Sequence, residues 1–208
     1  IITGGAGNDD IVGGGGNDVL IGGDNDDEFI YANHAEFFDS TANKMQDKIT
    51  GGAHTDSIVI TAHASNAFTI PASLNFNAGG RELLSTEQIT VSGAMNADIS
   101  ITLADGANTN SGLNTIDLSA DSGSSGTNTL DVSDETDSGT TGRYTLKGGN
   151  HIDIITGGAG ADIIEGGGGA DVIEGGGDAD AIDGGAGNDE YVYAVIGDLF
   201  NTGTGAII

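Results

Sequence analysis

The sequence contains no cysteine, no tryptophan, a single proline and only 5 lysine and arginine residues among its 208 positions. Each shortage removes a class of protein. Without cysteine there is no disulfide framework and no thiolate metal site; cysteine-free secreted repeat proteins exist, so the compartment stays open. Nucleic acid and anionic membranes reward Lys and Arg, which makes both poor partners for this chain. No apolar run approaches the roughly 18 residues of a membrane helix, and membrane insertion is not expected. A signal peptide is also missing: Ile1-Ile2-Thr3 reads as the tail of a preceding repeat, as in a segment of a longer protein.

What the chain has instead is acid and glycine: 32 Asp and Glu, 38 Gly and a formal charge of −27. So much like charge opposes compaction, and composition alone suggests disorder. The phase of the acids argues otherwise. Nine-residue units begin at Gly4, Gly13 and Gly22, and again at Gly148, Gly157, Gly166, Gly175 and Gly184, with one isolated copy over Gly51 to Val59. The sixth place is always Asp: Asp9, Asp18, Asp27, Asp56, Asp153, Asp162, Asp171, Asp180 and Asp189. The eighth is large and apolar: Ile11, Leu20, Phe29, Ile58, Ile155, Ile164, Ile173, Ile182 and Tyr191. Paired glycines allow backbone with φ > 0 and let carbonyls crowd toward one point. Carboxylates and bare carbonyls are the hard oxygen donors that calcium prefers. The x-U-x piece is a short strand with one inward side chain.

The pattern G-G-x-G-x-D-x-U-x resembles the repeats-in-toxin (RTX) family, whose nonapeptides build a calcium-binding parallel β-helix. The resemblance implies an all-β parallel β-roll or β-solenoid in which two nonapeptides make one coil, with Ca2+ between turns n and n+2. Ligands would be carbonyls of places two and four with the Asp of the first turn, and carbonyls of places one and three with the Asp of the second. The implied sets are Gly158, Gly160 and Asp162 with Gly175, Gly177 and Asp180; Gly167, Gly169 and Asp171 with Gly184, Ala186 and Asp189; Gly149, His151 and Asp153 with Gly166, Gly168 and Asp171; and Gly5, Gly7 and Asp9 with Gly22, Asp24 and Asp27. Gly14, Gly16 and Asp18, the isolated Asp56, and Gly176 with Asp178 join the candidates. Asn25, His151 and Asp178 stand where place four expects glycine.

Each block ends on an echo: Asp27-Glu28-Phe29-Ile30-Tyr31-Ala32 matches Asp189-Glu190-Tyr191-Val192-Tyr193-Ala194, followed by Glu36 and Phe38 or Asp198 and Phe200. These read as degenerate capping coils; Asp198 is a candidate metal ligand and Glu36 a weaker one. Between the blocks, Ile101/Leu103, Ile116/Leu118, Leu130/Val132 and Tyr144/Leu146 recur at spacings of 15, 14 and 14 residues. That rhythm suggests longer solenoid coils; an antiparallel sandwich is the alternative. One helical turn is expected at Ser85 to Gln88. The acidic loop Asp131 to Asp137 reads as a solvated turn or an extra calcium site. The organisation is then 1–39, repeat block and cap; 40–60, a single repeat; 61–147, Ser/Thr/Asn-rich coils; and 148–208, repeat block and cap.

No catalytic signature appears. H-E-x-x-H is absent, Gly123-Ser124-Ser125-Gly126 is one residue short of G-x-S-x-G, and His34, His54, His63 and His151 are scattered, each expected in an exposed turn. The whole segment resembles part of a large bacterial S-layer protein or RTX adhesin; a secretion tail of an exoenzyme is the further alternative. The resemblance implies export through a type I channel and calcium-driven folding outside the cell. Calcium is the implied partner, with copies of the chain itself or cell-surface polysaccharide as candidate macromolecular ones. Outward places seven (Ile154, Ile163, Val172) and nine (Val12, Ile21, Ile30) carry apolar residues, which suggests a covered surface.

Overall fold

The structure, a computed structural model, describes residues 1–39, 44–61, 67–71, 83–103, 112–123, 125–139 and 142–193. The chain is an all-β parallel solenoid. One eight-stranded sheet runs the length of the described chain: Asp10–Ile11, Glu28–Tyr31, Ser57–Thr61, Gln88–Ser92, Thr115–Asp117, Thr145–Lys147, Ile163–Glu165 and Ala181–Asp183, every neighbour parallel. A four-stranded sheet (Ile2–Ala6, Val19–Asp24, Lys48–Ala53, Leu83–Leu84) faces its first part. A six-stranded sheet faces the rest: Phe68–Ile70, Ile99–Thr102, Thr127–Asp131, Ile152–Thr156, Val172–Glu174 and Glu190–Val192.

The core follows from the eighth place of each repeat. On the long sheet, Ile11, Phe29, Ile58, Ile89, Ile116, Leu146, Ile164 and Ile182 stack in register, one per coil. Ile70, Ile101, Leu130, Ile155, Ile173 and Tyr191 form the opposing column. A strand with one or two inward residues buries little by itself, so each coil relies on its neighbours for a core. Leu103, Leu118 and Val132 are also fully buried, which is why the middle tolerates longer coils. The middle residues thus continue the solenoid rather than form an antiparallel sandwich.

Three local expectations fail. The segment after the first block is not a cap: the helix His34–Phe37 and the antiparallel pair Phe38–Asp39 with Lys44–Met45 form an insertion, after which the coils resume. Its apolar residues Phe37, Phe38 and Met45 are buried, and Glu36 accepts the Ala32 N–H at 3.3 Å rather than facing a metal site. Ser85 to Gln88 holds no helical turn; the chain passes between the strands Leu83–Leu84 and Gln88–Ser92, with Ser85 at φ 47°. The isolated copy is not isolated: Gly52 and Ala53 lie opposite Gly23 and Asp24, so Gly51 to Val59 stacks on the first block. His63, Asp198 and Phe200 lie outside the described residues, as does Ser124.

Candidate metal centres

The sixth-place acids form columns along the solenoid. The Asp9 N–H donates to Asp27 Oδ1 at 2.9 Å, Asp27 N–H to Asp56 Oδ1 at 2.9 Å, and Asp56 N–H to Glu87 Oε2 at 2.8 Å. In the second block Asp153 N–H donates to Asp171 Oδ1 (2.9 Å), Asp171 N–H to Asp189 Oδ1 (3.1 Å) and Asp162 N–H to Asp180 Oδ1 (2.9 Å). One carboxylate oxygen is thereby tied to the turn before it. The other turns toward the place-one glycine of its own repeat, closer than 3.0 Å to where a Cβ would stand, in eight of the nine repeats, the exception being the one that begins at Gly13. Any side chain at place one would displace the carboxylate.

A second oxygen joins it. Gly22 has both the Asp27 carboxylate and the Gly51 carbonyl beside it; Gly51 has Asp56 and the Ser85 carbonyl. Beside Gly148, Gly157 and Gly166, the acids Asp153, Asp162 and Asp171 meet the carbonyls of Gly166, Gly175 and Gly184. Five oxygen-lined points therefore repeat along the described chain, each pairing an acid of one turn with the place-one carbonyl of the next on the same side. The oxygens Asp27 Oδ2, Asp56 Oδ2 and Asp171 Oδ2 are buried and accept no hydrogen bond, as are Asp9 Oδ2 and Asp153 Oδ1. An anionic oxygen buried without a partner costs several kcal/mol, of order, unless a cation meets it. The donor set, hard oxygens only, fits calcium.

Backbone conformation decides which oxygens stay bare. Place two is left-handed at Gly23 (φ 130°), Gly52 (φ 134°) and Gly167 (φ 105°), in the same turns whose Asp Oδ2 is unpaired. In the turns beginning at Gly148 and Gly157 no residue has positive φ; there the Gly149 and Gly158 N–H groups donate to Asp153 Oδ2 (2.8 Å) and Asp162 Oδ2 (2.9 Å). These turns rest on the middle coils, Gly149 against Leu118 and Asp121, Gly158 against Val132 and Glu135. The implied sets using Gly149, His151, Gly158 and Gly160 thus lack the left-handed turn of the others. Asn25 and Asp178 keep it, at φ 79° and 58°, so those departures from glycine preserve the geometry.

Burial pushes the carboxyls of Asp56 and Asp153 up to about 6, and raises Asp162 and Asp171 as well. A carboxyl raised in the fold favours folding while protonated, so its contribution is complete below about pH 4 and lost as pH rises through about 6. The calcium-free chain is therefore expected to be most ordered near pH 4 and to lose order toward pH 6. Circular dichroism in chelator across that range is the check; order independent of pH would refute it.

Residues 1–31, 138–173, 147–182 and 156–191 match the family model of the RTX calcium-binding nonapeptide repeat. The chain carries RTX repeats. No curated protein and no solved structure matches it. Among the described residues no three His, Cys, Asp or Glu side chains converge as a metal cluster. No described helix is long and apolar enough to cross a membrane.

Several acids outside the RTX pattern enter these columns. Asp47 accepts the Asp18 N–H at 2.8 Å, and Glu87 stands in the Asp column above Asp56. Asp47 was legible, since it lies nine residues before Asp56; Glu87 lies 31 residues beyond Asp56, out of phase. Asp121 and Glu135 are buried where the middle meets the second RTX block. In the acidic loop, Glu135 turns inward and accepts the Tyr144 hydroxyl at 3.3 Å, while Asp131 accepts the Ser133 N–H. His151, expected in an exposed turn, is buried 3.3 Å from Asp121. His54 does lie exposed in its turn, and His34 rests against Phe38 and Phe68.

Proposed function

We propose that this chain is a calcium-folded structural module of a large secreted bacterial surface protein, and that it performs no catalysis. The observation that carries the reading is the recurrence of a buried, unpaired Asp oxygen, at Asp27, Asp56 and Asp171, in RTX turns of one continuous solenoid. Asp27, Asp56 and Asp171, whose second carboxylate oxygens are buried and bare, are the acids best placed to hold the ion. When bound, calcium supplies the positive charge and the demand for six to eight oxygens that such turns satisfy. Extracellular calcium modules bind with dissociation constants of about 10⁻⁴–10⁻³ M, so the columns stay uncompensated where calcium is scarce and close where it is abundant. Folding after export is the consequence.

An S-layer-like role adds assembly. Ile152 and Ile154 are 49% and 41% exposed on the outer face of the six-stranded sheet, and Val172 lies opposite Ile154 in the next strand. Apolar side chains gathered on an outer face favour a covered surface. Light scattering during calcium addition is expected to show growth beyond a monomer, lost on Ile154→Lys. A folded, calcium-loaded monomer at high concentration would set assembly aside in favour of an adhesin stalk.

A further inference from the structure

The turn beginning at Gly13 carries the full RTX pattern, with Gly14, Gly16 and Asp18, yet its surroundings differ from every other repeat. Its partner across the coil is Asp47, whose Oδ1 accepts the Asp18 N–H as the acids of the other columns do. The second oxygen is where the difference lies. Asp47 Oδ2 accepts the Tyr31 hydroxyl at 2.9 Å, whereas Asp27 Oδ2 and Asp56 Oδ2, in the column on the other side of the same coils, accept no hydrogen bond. Among the described residues, the point beside Gly13 is also lined differently: Asp47 Oδ2 at 3.0 Å stands with the Leu20 methyls at 3.3 Å, where Gly22 has its own Asp27 carboxylate and the Gly51 carbonyl.

We propose that Tyr31 takes the place of calcium at this rung, so that Asp18 and Asp47 pair without an ion. The insertion makes this possible. Asp18 and Asp47 are 29 residues apart where neighbouring rungs of the second block are 18 apart, so 11 extra residues enter between them. Those residues seat Tyr31, fully buried, edge-on to Phe37 with ring centroids 5.1 Å apart. Burial, and then the Asp47 charge, holds the phenol far above its usual pKa, so it remains a proton donor at any physiological pH. A phenol O–H to a buried carboxylate is a strong charge-assisted hydrogen bond and meets the oxygen that a cation meets elsewhere. Tyr144 repeats the device at Glu135 Oε2, where the second RTX block joins the middle coils.

The inference rests on calcium binding at the RTX turns, and the test separates the two. Bound calcium per chain is measured by equilibrium dialysis for the wild type, Asp47→Asn and Asp27→Asn, each confirmed folded in excess calcium by circular dichroism. Asp47→Asn is expected to match the wild type, while Asp27→Asn binds one ion fewer. An ion lost in Asp47→Asn overturns the proposal alone; a wild type that binds no calcium overturns the reading beneath it. Anomalous scattering from crystals of the calcium-loaded wild type gives a check that needs no variant. A peak between Asp27 and Gly51 with none beside Asp47 supports the proposal, and a peak beside Asp47 refutes it.

Discussion

Chelating calcium is expected to abolish the β-structure of both RTX blocks while the coils between them stay protected. The columns give the reason. On the long sheet, the residues in the sixth-place column are Asp9, Asp27, Asp56 and Glu87, then Asn114 and Tyr144, then Asp162 and Asp180, each joined to the next by a backbone hydrogen bond from the following residue. On the other side, Asn128 precedes Asp153, Asp171 and Asp189. The middle coils thus substitute neutral residues for the stacked acids and bury Ile101, Ile116, Leu130 and Leu146 completely. At a calcium concentration about ten times the dissociation constant each site adds about 1.4 kcal/mol, so three open rungs add about 4 kcal/mol. That approaches the roughly 5–15 kcal/mol that separates a folded domain from its unfolded chain. Without it, carboxylates about 4.8 Å apart along the column repel one another. Amide hydrogen exchange should find fast exchange in 22–30 and 166–192 and slow exchange at Ile89, Ile116 and Leu146. Uniform protection in excess chelator would sink the idea. Magnesium should restore little, because it requires a tighter octahedron of oxygens.

Asp171→Ala should raise the calcium concentration needed for folding far more than Asp9→Ala. Asp171 is fully buried, accepts the Asp153 N–H, and donates its own N–H to Asp189. Its Oδ2 is bare, and beside Gly166 it meets the Gly184 carbonyl. Removing the carboxylate strands a buried N–H, at about 1–3 kcal/mol, and dismantles an oxygen-lined point in mid-column. Asp9 is half-buried at the start of its column, and its N–H donates onward to Asp27. Its loss leaves the rungs of Asp27 and Asp56 intact. Calcium titrations followed by circular dichroism compare the two; equal shifts of the midpoint would contradict the assignment.

The candidate ligands were legible to the extent that phase carried them. Pairing of turns 18 residues apart, the place-one carbonyls of Gly166, Gly175 and Gly184, and the acids Asp27, Asp153, Asp162 and Asp171 all follow from the nine-residue count. What phase could not reveal was the conformation of each turn. Gly149 and Gly158 hold the same place in the repeat as Gly167, yet they lie against Leu118 and Val132 and do not turn left-handed. The partners of Asp47, Glu87 and Asp56 were hidden because insertions of unequal length separate them, and a fixed period does not cross an insertion.

By itself the sequence determined the fold type and the chemistry. A repeat of nine with one inward apolar residue and one acid per unit, through its resemblance to the RTX pattern, implied a coil that stacks on itself with oxygen donors gathered at its turns. Tertiary structure decided which acids are left bare. Stacking buries Asp27, Asp47, Asp56, Asp153, Asp162 and Asp171 alike, but whether the second oxygen meets a glycine N–H of its own turn, as at Asp153 and Asp162, a phenol, as at Asp47, or nothing, as at Asp27, Asp56 and Asp171, depends on how that turn packs against its neighbours. The glycine N–H groups lie four residues and the phenol 16 residues from their acids, but the coils that shape those turns are distant in the chain, Leu118 against Gly149 and Val132 against Gly158, and only the packed solenoid brings them together.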